Sequence, residues 1–128
     1  LMKGFTYNFP MPVSRYTENL RKEFEASGSI MVLADSAEAG PGMVRDSING
    51  DLFILNHLEY DADTLAAEYT RDAEAGLATA IPANYYPDND PGNTPVNYWR
   101  PFAFLLITNW IHDLYQDTPF DLTALGRS

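Results

Sequence analysis

Apolar positions along the chain change period several times, and these changes divide it into elements. Residues 1–16 show no period, are rich in aromatics, and carry Pro10 and Pro12, which discourage a helix. From about Thr17 to Ala26 the spacing turns helical. Leu20 and Phe24 share a face, Thr17 stands where an N-cap belongs, and Gly28 follows as a stop. Ile30 to Ala34 is a continuous apolar run of strand type. Met43–Arg45 and Asp51–Leu55 flank Asn49-Gly50, a dipeptide that favours a tight hairpin turn. Three strands are expected, the last ending just before His57.

Asp61 and Asp63 then offer caps for a helix reaching Ala75, with Gly76 as its stop. Residues 77–97 hold Pro82, Pro87, Pro91 and Pro95 among Asn, Asp and Gly, and read as a long loop of the kind that is functional or mobile. A last helix is expected from about Trp99 to Tyr115, with Pro101 tolerable in its first turn and Pro119 closing it. It is apolar on most sides, which predicts burial. Trp99, Phe102, Phe104 and Trp110 are most simply core. Strands followed by helices in this order indicate an α/β domain whose sheet is incomplete.

Composition narrows the function classes. The 128 residues carry a net charge of -10, and 45% are hydrophobic, enough for a real core. An acidic chain is repelled by nucleic acid and by anionic membrane. The longest apolar run, Phe102 to Ile107, is far short of the roughly 20 residues a membrane helix needs. No signal-like segment opens the sequence, so a cytoplasmic protein is expected. There is no cysteine, which removes thiolate metal ligands and any thiol nucleophile on these residues.

The candidate chemistry centres on Asn56-His57-Leu58-Glu59-Tyr60-Asp61, at the expected carboxyl end of a strand, where open α/β sheets build their sites. In an extended stretch, residues two apart project to one side. His57 and Glu59 then face one pocket, and a carboxylate beside an imidazole fixes its tautomer and supports its protonated form, as a general base requires. A surface histidine near an acidic cluster is the plainer reading. A metal site drawn from His57, Glu59, Asp61, Asp63 and His112 is the third. Arg71, on the following helix, suits a bidentate grip on a substrate carboxylate, or pairs with Glu68 or Asp72 on its own helix. Ser14 is a pocket hydroxyl or a turn residue. His112 and Asp113 are helix neighbours that do not face each other.

Many short segments, in order from about Lys3 to Leu122, resemble one known family. They include Lys3-Gly4-Phe5, Ser14-Arg15-Tyr16-Thr17-Glu18, Glu38-Ala39-Gly40, His57-Leu58-Glu59-Tyr60-Asp61, Arg71-Asp72-Ala73-Glu74-Ala75-Gly76, Pro82-Ala83-Asn84-Tyr85-Tyr86-Pro87 and Asn109-Trp110. Thr118 to Leu122 closes the match. The chain is similar to the homoserine O-acyltransferases of methionine biosynthesis, and specifically to their carboxyl-terminal half.

That resemblance implies the matching half of a class I glutamine amidotransferase-like three-layer fold, with residues 1–128 as a single partial domain. It implies transfer of a succinyl or acetyl group from acyl-CoA to homoserine, through a thioester on a cysteine that belongs to the amino-terminal half. His57 is then the base and Glu59 its partner, while Arg71 and Ser14 bind the amino-acid substrate. No resident cofactor or metal is implied, acyl-CoA being a co-substrate. The partners are small molecules, and the assembly is a homodimer. The sequence departs from the family at Asn56 and Leu58, where Gly and Pro are usual, at Val13, where His is common, and at Pro101, Phe102 and Phe104, where polar residues are usual. Ile111 to Gln116 is also slightly short. These departures admit a related serine acetyltransferase as one alternative. A binding or regulatory module that kept the fold without the chemistry is another. On this reading the isolated chain, a fragment without its nucleophile, is inactive.

Overall fold

The computed structural model describes residues 1–121 and Thr123; Leu122, the end of the segment matched above, lies outside the described residues. The element order is α1 (Arg21–Ala26), β1 (Ile30–Ser36), β2 (Gly40–Asp46), β3 (Leu52–Ile54), α2 (Thr64–Glu74) and α3 (Arg100–Asp117), with a short 3-10 turn at Pro87–Asn89.

Helix α1 starts later than Thr17. The Glu23 carboxylate accepts the Leu20 N–H at 3.4 Å, which places the cap at Leu20. Arg21 then pairs with Glu25 at 2.7 Å and with Asp35 at 2.9 Å, fastening α1 to β1. The three strands form an antiparallel sheet in the order β1-β2-β3. Strands β1 and β2 are joined by a hairpin that the pattern of apolar residues did not announce. Ser36 Oγ accepts the amides of Glu38 and Ala39, and Gly40 takes the positive φ of +67° that closes the loop.

Asn49-Gly50 does mark the second connection, but not as a two-residue turn. Asp46 and Asp51 bracket a wider loop. In it the Asp46 carboxylate accepts the Ile48 amide at 2.9 Å and the Asn49 side chain at 2.7 Å. These contacts hold its carboxyl below the usual carboxylate range, the Ile48 amide being the main cause.

The core gathers Met43 of β2, Leu58, Leu65 of α2, Tyr85, Tyr86, Trp99 and Leu106 of α3. Full burial of each such side chain contributes about 1.5–3 kcal/mol. Leu58, between His57 and Glu59, is one of these core residues. The long 77–97 loop therefore supplies structure: Tyr85 Oη accepts the Ala66 amide at 3.1 Å and donates to the Ala62 carbonyl. Ala66 lies in the first turn of α2, so a side chain from a distant loop satisfies a backbone donor that Asp63 leaves uncapped. Asn84, Asp88 and Asn89 adopt left-handed φ values near the two tyrosines.

Helix α3 corrects the expectation of all-round burial. Leu106 is 1% exposed, but Phe104 is 68% exposed, and Ile107, Trp110, Ile111, Leu114 and Tyr115 also face outward. The apolar set is there, but the described residues leave it uncovered. Phe102 packs inward, against Phe5 and Phe9 of the lead-in at ring separations of 5.6 and 5.2 Å. Among the described residues no helix is long and apolar enough to cross a membrane.

Candidate active site

Two backbone contacts place the segment after β3. Leu55 N–H donates to Gly42 O at 2.8 Å, and His57 N–H donates to Pro12 O at 2.9 Å. The irregular lead-in therefore runs alongside the His57 segment. It is fixed in turn by Arg15, whose guanidinium donates to Pro41 O at 3.0 Å and to Ala39 O, both on the sheet side. The site does not follow the rule for open parallel sheets, since β3 is an antiparallel edge strand; a neighbouring chain segment sets its position.

Asn56 is buried, at 7% exposure, and has no positive φ, so the backbone here does not need the freedom of a Gly. The adjustment lies opposite, at Gly42: a Cβ there would come within 2.6 Å of Asn56 Nδ2. The Asn56 Oδ1 is buried with no hydrogen-bond partner among the described residues.

His57 Nδ1 and Glu59 Oε1 are 2.7 Å apart. They meet across a turn at Leu58-Glu59 rather than along an extended strand, because Leu58 is drawn into the core between them. The other ring nitrogen, Nε2, lies 3.2 Å from the carbonyl oxygen of Ser14. Both nitrogens thus face acceptors, and only the doubly protonated imidazolium can donate to both at once. Glu59 remains mostly exposed while His57 is about two-thirds covered. The Tyr60 ring stacks on the imidazole, with centroids 4.2 Å apart and planes 18° from parallel. The Tyr60 phenol donates to Glu68 Oε1 at 2.7 Å and also neighbours the Ser14 hydroxyl. Burial, helped by Glu68, pushes this phenol up to about 12.

Of the four residues singled out from sequence, Ser14, His57 and Glu59 are brought together. Arg71 is not joined to them by a hydrogen bond. Its guanidinium lies largely exposed on α2 and pairs with Asp72 at 2.7 Å, a contact that also raises its pKa. Glu68, one turn before it, keeps Oε2 buried and without a partner among the described residues. Asp61 turns away from His57 to pair with Arg100, and His112 is exposed on α3. Among the described residues no three His, Cys, Asp or Glu side chains are placed to hold a metal ion.

Sequence reasoning gives no role in the site to Arg15, Tyr60 or Asn97, and names Glu68 only as a partner for Arg71, whereas the structure pairs it with Tyr60. The carbonyl of Tyr60 accepts the Trp99 indole N–H at 2.8 Å and the Asn97 amide at 3.1 Å, so the start of α3 is pinned to the site. Only the clustering of polar and aromatic residues around His57 could have pointed to them.

Comparison with known proteins bears on what this arrangement belongs to. Residues 1–120 match the family model described as homoserine O-succinyltransferase. A protein named homoserine O-acetyltransferase from Cereibacter sphaeroides is 48% identical over 126 residues, covering 98% of this chain and 41% of the relative. Proteins of the same name from Roseobacter denitrificans and Rhizobium johnstonii are each 45% identical, at the same coverage of both chains. The chain thus spans about two fifths of the length of these relatives. With a match running through nearly every segment described above, the chain belongs to the homoserine O-succinyltransferase family.

Proposed function

We propose that this chain contributes the base and the amino-acid-binding half of a homoserine O-acyltransferase, which moves an acyl group from acyl-CoA to the homoserine hydroxyl. The observation that carries the reading is the 2.7 Å contact between His57 Nδ1 and Glu59 Oε1 in a chain of this family. The relatives' names favour an acetyl donor. The reaction runs through a thioester on a cysteine. These residues hold no cysteine, and the thiolate comes from the part of the family pattern that they do not include.

His57 carries the proton in both acyl-transfer steps. It accepts the thiol proton as the sulfur attacks the acyl-CoA carbonyl and returns it to the departing CoA thiolate; it then accepts the proton of the homoserine hydroxyl as that oxygen attacks the thioester and returns it to the departing cysteine sulfur. Glu59 holds Nδ1–H, so Nε2 is the nitrogen that exchanges protons, and its carboxylate stabilises the imidazolium in between. The Ser14 carbonyl beside Nε2 accepts a hydrogen bond from that charged form. Arg71 takes the homoserine carboxylate after exchanging Asp72 for it, and the Ser14 hydroxyl lines the same pocket.

The same reading extends to the architecture. Residues 1–128 form a single partial domain, the carboxyl-terminal half of an amidotransferase-like three-layer fold in a cytoplasmic homodimer. The outward-facing apolar residues of α3 support this, because such a face calls for a further layer.

The test is acyl transfer by the protein that carries this chain. His57→Ala should abolish thiol release from acetyl-CoA in the presence of homoserine. Arg71→Ala should chiefly raise KM for homoserine. Full turnover without His57, or by residues 1–128 alone, refutes the assignment.

A further inference from the structure

Tyr60 has no part in the proton transfers just described, yet three independent contacts meet on it. Its ring face covers the His57 imidazole, its phenol donates to Glu68 on α2, and its carbonyl is held by Trp99 and Asn97. Glu59 by itself is a weak guide for the imidazole. It accepts one hydrogen bond on a carboxylate that is 68% exposed, and the Nε2 contact with the Ser14 carbonyl at 3.2 Å is made only while that nitrogen carries a proton, so between transfers the ring plane is free to swing. A ring anchored at both its backbone and its hydroxyl removes that freedom.

We infer that Tyr60 is the positioning residue of this site, fixing the plane of the His57 imidazole and tying it to the helix that carries Glu68 and Arg71. The inference rests on the proposed role of His57 for its catalytic consequence, but not for its geometry. Two physical effects follow. The stacked ring presents an electron-rich face to the imidazole, which favours the cation formed once His57 has taken a proton. The phenol also makes base and substrate anchor parts of one rigid unit, since Glu68 and Arg71 lie one turn apart on α2. With its phenol pushed up to about 12, Tyr60 stays a neutral donor to Glu68 and does not compete as a base.

The experiment combines nuclear magnetic resonance with kinetics on the full enzyme that carries this chain, unsubstituted and as Tyr60→Phe and Tyr60→Leu. In the unsubstituted protein, ring protons of His57 and Tyr60 should show mutual Overhauser contacts. The low-field proton of the His57 Nδ1–Glu59 hydrogen bond should be visible. Tyr60→Phe keeps the ring and should keep that signal. Tyr60→Leu should lose it to solvent exchange although Glu59 is intact.

Kinetically, Tyr60→Leu should lower kcat by about tenfold to a hundredfold, the cost of a misplaced catalytic group, with KM for acyl-CoA unchanged. Tyr60→Phe should lie between the two. Absence of the Overhauser contacts overturns the inference, as does a low-field proton unchanged in Tyr60→Leu, or equal kcat losses for Phe and Leu. Should Tyr60→Leu fail to fold by circular dichroism, the Overhauser contacts and the retained signal in Tyr60→Phe decide the matter. Expected spectra in a protein with no acyl transfer at all would remove the proposed reaction and leave the positioning role standing.

Discussion

Gly42→Ala adds one methyl group at the place where β2 faces the His57 segment. The new Cβ would lie 2.6 Å from Asn56 Nδ2 and 3.6 Å from Met11 Sδ. Non-bonded heavy atoms settle at about 3.5–4.0 Å, so Asn56 must retreat by roughly 1 Å. A surface side chain would simply swing away. Asn56 is 7% exposed, and the residues on either side of it are held by the Leu55–Gly42 and His57–Pro12 backbone bonds, at 2.8 and 2.9 Å. Overpacking of this kind costs about 1–3 kcal/mol. Replacing Gly restores about 0.4–1 kcal/mol by restricting the unfolded chain. The expected net loss is about 1–2 kcal/mol, read as a lower urea midpoint at unchanged slope.

Asn56→Ala serves as the control. It removes the group in the way together with its unpartnered oxygen, and should change stability by less than about 1 kcal/mol. In the double variant the methyl group fills the vacated space, so the two effects should couple by about 1 kcal/mol or more. A Gly42→Ala protein as stable as the unsubstituted one refutes the reasoning, as does a double variant whose loss equals the sum of the singles.

Three other outcomes are expected. Tyr85→Phe strands the Ala66 N–H and the Ala62 carbonyl and should cost about 1–3 kcal/mol in urea denaturation. Arg15→Ala frees the lead-in from Pro41 and Ala39, so Ser14 should drift from His57 and kcat of the carrying enzyme should fall on the order of tenfold, without a matching fall in stability. At alkaline pH the raised Tyr60 pKa sets the sign. The folded state favours the neutral phenol, so this contribution is complete below pH 10.0 and is lost as pH rises towards about 12. Tyrosinate absorbance should show a late-titrating phenol that is missing in Tyr60→Phe. The slope of stability should shrink without vanishing, because burial raises Tyr85 and Tyr86 in the same direction.

Elements whose signals are local are legible in the amino-acid order alone. Gly76 ended α2 where its φ of +72° is needed, the strand at Ile30 followed from an apolar run and that at Met43 from its place before Asn49-Gly50, and Pro101 entered α3 within its first turn. The partnership of His57 with Glu59 is legible there too, although the spacing argument assumed an extended strand and the structure uses a turn. Features that depend on residues distant in the chain became visible only in the folded molecule. The β1–β2 hairpin turned on Ser36 and Gly40 lying where loop and ladder agree, and the Tyr85 cap of α2 joined residues 19 apart. The exposure of α3 is not legible in its sequence, because hydrophobicity states what a side chain prefers, whereas exposure depends on what is present to cover it. Arg71 stayed on Asp72 for a related reason, since a charge exposed to water takes the partner nearest to it on its own helix. Tyr60 was silent in the sequence because its neighbours His57, Glu68, Asn97 and Trp99 come from three separate stretches, and only folding made them one site.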